Sequence, residues 1–114
     1  MLWLLEGDAR VEGVRAAIED PRTTVLVSAV CVWEAAIKSA LGKLRVPDNL
    51  PERLDEFAFE RLPVIDAHTW AVRALPPIHN DPFDRLLAAQ AVCERATIVS
   101  ADTVFDAYAL TRIW

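Results

Sequence analysis

The sequence predicts a small α/β domain, a parallel β-sheet flanked by helices. Two observations carry that prediction. Short β-branched or apolar runs alternate with helix-length amphipathic segments along the 114 residues. The helical segments open on capping residues and close on Gly or Pro, as at Ser28 to Gly42 and at Asp81-Pro82. Connections are short, with no repeat, linker or change of composition. The chain therefore reads as a single domain over residues 1–114.

The elements follow in order. Leu2 to Leu5 form an apolar segment that breaks at Gly7. Residues 9–19 place Val11, Val14, Ala17 and Ile18 on one helical face, and Pro21 closes that helix. Residues 23–28, Thr-Thr-Val-Leu-Val-Ser, read as a buried strand. Ser28 caps a helix running to about Leu41, and Gly42 ends it. The apolar face of that helix is Val30, Trp33, Ile37, Leu41 and Leu44. A shorter helix, 51–59, enters at Pro51, and 62–65 is a brief strand. Asp66 is placed to cap a helix over 67–75 that stops at Pro76-Pro77. Asp81-Pro82 opens the helix 82–95. Residues 97–100 form another strand, Asp102 caps a short helix through Tyr108, and 110–114 supply a last edge strand. Parallel α/β domains normally begin with a strand, and none precedes the first helix here.

Composition narrows the function classes. The chain is 54% hydrophobic and 25% charged, which excludes a disordered chain. Its apolar runs are too short for a membrane-spanning helix. Three glycines are too few for a phosphate loop or a dinucleotide-binding turn, and no nucleophile elbow is present. The net charge of −5 repels a nucleic-acid backbone unless some of the acids hold cations, which reverse the local field. Cys31 and Cys93 make neither a disulfide framework nor a zinc site. They read as buried free thiols in a reducing compartment, and with no secretory signal the expected location is cytoplasmic.

Three acids fall near the carboxyl ends of predicted strands, where parallel α/β folds bind ligands: Glu34, Asp84 and Asp102. Carboxylates converging from separate segments make a hard-oxygen site suited to Mg²⁺ or Mn²⁺. Each also has a plain structural reading. Glu34 stands four residues before Lys38, in the order that favours a helical ion pair. Asp84 suits the first turn of a helix, and Asp102 an N-cap. His68 reads as structural and His79 as a surface-loop histidine.

Three segments together resemble a known family. They are Val27 to Lys38 (Val-Ser-Ala-Val-Cys-Val-Trp-Glu-Ala-Ala-Ile-Lys) continuing to Leu44, His79 to Ala91 around Asp-Pro-Phe-Asp, and Val99 to Asp102 followed by Phe105 and Tyr108. In order and spacing the sequence resembles PIN-domain proteins, specifically the VapC-type ribonuclease toxins of bacterial toxin–antitoxin pairs. The resemblance implies that Glu34, Asp84 and Asp102 are the metal-site and catalytic acids. It implies Mg²⁺ as the cofactor, with Mn²⁺ as a substitute, and hydrolysis of RNA phosphodiester bonds. It also implies a cognate antitoxin as partner and a homodimer. Ser100 is then a candidate for orienting Asp102, Arg85 for touching substrate, and Asp81 serves as a helix cap.

The chain departs from the family pattern at its start. The family opens with a strand ending in a further metal-site aspartate, ahead of a helix like Met1-Leu2-Trp3-Leu4-Leu5. On this reading the 114 residues begin inside that helix, with the strand either upstream of Met1 or lost from a truncated copy. Asp8 cannot replace its aspartate because it lies beyond Gly7. The expectation is an impaired ribonuclease. The alternative is a catalytically inactive PIN-like module that still binds an antitoxin or another protein, through Leu2 to Leu5 and the helix 51–59. A phosphoacceptor receiver domain ranks lower, since no lysine follows Lys43.

Overall fold

The computed structural model describes residues 24–57, 59–77, 81–99, 108 and 112–113. The segment Leu2 to Leu5, the helix 9–19, His79, Ser100, Asp102 and the cap assigned to Asp102 lie outside the described residues. Within them the order is β1 (Leu26–Ser28), α1 (Ala29–Ala40), α2 (Leu50–Asp55), β2 (Glu60–Leu62) and α3 (Asp66–Ala71). A 3-10 turn over Val72–Ala74 follows, then α4 (Pro82–Glu94), β3 (Ile98–Val99) and β4 (Arg112–Ile113). The strands form two parallel pairs. β1 lies beside β2 with Val27 opposite Arg61, and β3 beside β4 with Ile98 opposite Arg112. Parallel pairing needs a crossover, which α1 and α2 supply between β1 and β2. The fold is the expected α/β arrangement of parallel strands and helices.

The strong local signals act as read. Ser28 ends β1 and caps α1, its Oγ accepting from the Val30 N–H at 3.0 Å. α1 closes with the Lys43 N–H bonded to the Lys38 carbonyl at 2.9 Å, around Gly42 at φ +72°. A Cβ at Gly42 would meet nothing within 4 Å, so a substitution there is opposed only by backbone conformation. Gly42→Ala should therefore lower stability by about 1 kcal/mol, read as a thermal midpoint a few degrees lower. α4 closes in the same way, with Ala96 N–H to Ala91 carbonyl at 2.9 Å, although Arg95 rather than Gly takes the left-handed position at φ 52°.

Other expectations need correction. β2 falls at 60–62, ahead of the expected 62–65. Its register is set by β1, with the Glu60 N–H also bonded to the Val25 carbonyl at 2.9 Å, and Pro63 has no N–H to extend the ladder. Val64 and Ile65, the apolar residues that suggested a strand, are exposed. The helix expected over 51–59 ends at Asp55, and the one over 67–75 divides into α3 and the 3-10 turn. Asp66 is the first residue of α3 rather than its cap. Ile65 holds the cap position, and its N–H donates to His68 Nδ1 at 3.2 Å.

α1 buries only part of the stripe its periodicity suggests. Trp33, Ile37 and Leu41 are exposed, while Val30 and Ala35 are buried. Glu34 lies between Val30 and Ala35 on the helical wheel and is half-buried. α4 is buried around its circumference at Ala88, Ala89, Gln90 and Ala91. The three alanines let neighbouring elements approach closely, and Gln90 is one of the largest fully buried side chains. Ala88, Ala91, Ile98 and Tyr108 form one apolar cluster, with Leu75 and Leu87 packed against it.

The two thiols differ as well. Cys93 is exposed, not buried as expected, while Cys31 is half-buried and burial pushes its thiol pKa up. Thiolate is the reactive form, so iodoacetamide should modify Cys93 first and Cys31 slowly until the chain is unfolded, which peptide mass spectrometry would resolve.

Candidate metal centre

Two segments build the centre. β1 delivers the chain into α1, which carries Glu34 on its second turn. The other segment is the start of α4. Asp81 caps that helix through Oδ1, accepting from the Phe83 N–H at 2.8 Å and the Asp84 N–H at 3.2 Å. Pro82 takes the first helical position, where its missing N–H costs nothing, and Asp84 falls in the first turn. An acid there is favoured by the helix dipole.

Glu34, Asp81 and Asp84 converge. Each offers a carboxylate oxygen, and the three oxygens lie within 4.8 Å of one another. All three residues are half-buried. Lys38 Nζ stands 3.7 Å from Glu34 Oε2, so the helical ion pair weighed from the sequence forms in addition to the cluster. Trp33 and Phe83 meet edge to face beside the acids, with ring centroids 4.5 Å apart and planes at 62°. Each aromatic immediately precedes one acid of the cluster, so their contact couples α1 to the start of α4.

Glu34 and Asp84 are thus brought together, whereas Asp102 lies outside the described residues. Asp81 was read only as a cap, yet it joins the acids while capping. The signal was present in Asp-Pro-Phe-Asp, since the cap residue and the third helical residue sit over the same helix end. Arg85 does not stand free for substrate. Its Nη1 donates to the Pro76 carbonyl at 2.9 Å and its Nη2 to the Val72 carbonyl at 3.2 Å, tying α4 to the turn after α3.

Three anionic oxygen donors this close repel one another, and a divalent cation removes that repulsion. The set is wholly oxygen, as Mg²⁺ and Mn²⁺ prefer, with no thiolate or imidazole among the clustered side chains. The residues present therefore fit a hard divalent ion.

A parallel α/β fold with carboxylates from two helices clustered together defines a class, and the sequence agrees. Residues 1–110 match the PIN domain family, and the chain belongs to it. Over 74 residues it is 39% identical to Ribonuclease VapC16 of Mycobacterium tuberculosis (strain ATCC 25618 / H37Rv). That match covers 61% of this chain and 52% of the relative, so the chain spans about half the length of the curated relative it matches. The fold is also similar to the crystal structure of VapBC2 from Rickettsia felis bound to a DNA fragment from their promoter. The TM-score is 0.70 at 17% identity, covering 96% of this chain and 88% of that one.

Proposed function

We propose that this chain is a VapC-type endoribonuclease, the toxin of a toxin–antitoxin pair, which hydrolyses RNA phosphodiester bonds with Mg²⁺ or Mn²⁺. The observation that carries the reading is the convergence of Glu34, Asp81 and Asp84 in a PIN-domain chain with a relative named as a ribonuclease. Asp102, from the family pattern, is proposed as a further ligand. A bound divalent ion would supply charge neutralisation at the scissile phosphate and a more acidic water.

The chain's own residues do the rest. Asp81 is held by two backbone N–H groups, so its carboxylate is oriented before any ion arrives. Glu34 approaches from a separate helix, so the spacing of the acids depends on how α1 packs on α4. Without a cation the cluster repels the RNA backbone, which makes substrate binding as well as hydrolysis dependent on the metal. The VapBC name of the structural relative supports an antitoxin as partner, with a homodimer as the proposed assembly. Among the described residues no helix is long and apolar enough to cross a membrane. A cytoplasmic location is proposed with the function.

The direct test is Mn²⁺-dependent cleavage of a mixed RNA substrate by the chain and by its Asp84→Ala variant. Cleavage by the parent that disappears in the variant and with EDTA is the expected result. Equal cleavage by both, or none by the parent, would overturn the assignment for this chain.

A further inference from the structure

Away from the acids, a buried polar chain crosses from β1 to α3 through Gln90, which is 1% exposed. Its direction is dictated at both ends. The Val30 N–H can only donate, and it donates to Ser28 Oγ at 3.0 Å. The Pro63 carbonyl can only accept, and it accepts from Gln90 Nε2 at 3.3 Å. Between them the Ser28 hydroxyl donates to Gln90 Oε1. Gln90 Nε2 also reaches His68 Nδ1 at 3.3 Å, where the Ile65 N–H donates as well. With Nδ1 accepting, the ring proton sits on Nε2 and donates to Glu94 Oε1 at 2.9 Å.

The two ends of the Ser28–Gln90 bond matter most. Ser28 is the N-cap of α1, six positions before Glu34. Gln90 lies on α4, six positions after Asp84. This side-chain bond therefore fastens together the two helices that carry the converging acids, 62 residues apart in sequence. A leucine at position 90 would fill similar space, but only a side chain that accepts at one end and donates at the other satisfies both Ser28 and Pro63. An amide does this with no net charge.

We infer that Gln90 is a positioning residue for the metal centre, acting through Ser28 to set how closely Glu34 approaches Asp81 and Asp84. It touches neither metal nor substrate. The inference rests on the metal-dependent reading above. It adds that the spacing of the acids is controlled from further along α4, by a residue that is not itself one of the converging acids.

The test is Mn²⁺ binding to the 114-residue chain, followed by the electron paramagnetic resonance signal of free Mn²⁺. Gln90→Met keeps the volume and removes the polar link. It should weaken Mn²⁺ binding by about tenfold, the low end of what supporting residues around a metal site contribute. Ser28→Ala should weaken it similarly, and the double variant should be no worse than the poorer single one, because both remove one link. Ser28→Thr keeps the hydroxyl and should bind as the parent does. Should Gln90→Met lack the parent's far-ultraviolet circular dichroism, the contrast between Ser28→Ala and Ser28→Thr decides by the same criterion. Glu34→Gln and Asp84→Asn separate the two ways of failing. If neither weakens Mn²⁺ binding, the metal-centre reading fails and the positioning role falls with it. If both weaken it while Gln90→Met and Ser28→Ala bind as the parent, or their effects add, the positioning role alone is overturned.

Discussion

Glu34→Gln is expected to remove metal-dependent RNA cleavage, by about 10²–10³-fold or more, without weakening the fold. The side chain keeps its size and loses its charge. Removing a charge at a crowded anionic site relieves repulsion in the folded state. The ion pair lost with Lys38 is a half-exposed helical pair worth only about 0.2–0.5 kcal/mol. The thermal midpoint in EDTA should therefore stay the same or rise, the signature of a residue kept for function at a cost in stability. Added Mn²⁺ at about a hundred times its Kd should stabilise the parent by about 2.7 kcal/mol and the variant far less. Paired thermal melts with EDTA and with Mn²⁺, run beside the cleavage assay, read both effects. A variant that cleaves as the parent does, or gains as much stability from Mn²⁺, would remove Glu34 from the centre.

That contrast between function and stability also explains which parts of the structure could be read from the sequence. β1, α1 and α4 are announced by local chemistry: a β-branched run, a serine cap, a glycine at positive φ, and Asp81-Pro82 at a helix start. Each acts within a few residues, so a linear reading captures it. β2 is different. Glu60-Arg61-Leu62 has two exposed charged residues and no strand signature, and it is a strand because β1 lies beside it. The apolar Leu62 to Ile65 run pointed to the wrong place, since Pro63 interrupts the ladder and Val64 and Ile65 face outward.

The burial of α1 departs from its periodicity for a related reason. Periodicity favours the stripe of Val30, Trp33, Ile37, Leu41 and Leu44, because large apolar residues dominate any such sum. Of that stripe the helix buries Val30, and beside it Ala35, while Trp33, Ile37 and Leu41 stay exposed. α4 likewise buries the consecutive alanines and Gln90 of residues 88–91, a turn with little hydropathic contrast. Glu34 falls between the buried Val30 and Ala35 on the helical wheel and there meets Asp81 and Asp84. Type and spacing made Glu34 and Asp84 candidates. Asp81 was hidden by a capping role that explained it fully, and it fills that role while also joining the acids.

His68 shows the same limit in the core, and its replacement carries the largest stability effect expected here. A histidine inside a helix reads as structural, but its partners come from three other places in the chain. At 1% exposure it accepts the Ile65 N–H that no helical turn can satisfy, receives a contact from Gln90, and donates to Glu94. His68→Leu would roughly preserve the apolar volume and strand those groups. The Ile65 N–H is only part-buried, and Gln90 keeps its bond to Pro63. Most of the loss therefore comes from the network bonds of the buried ring, and about 1–3 kcal/mol is expected. Glu94→Gln keeps an acceptor for the ring N–H at a site 38% exposed, and should cost less than about 1 kcal/mol. Urea unfolding of both variants makes the comparison. Equal midpoints would mean that the ring serves only as filling between α3 and α4. A large loss confined to His68→Leu would show that the start of α3, which lacks a side-chain cap, is secured by this imidazole instead.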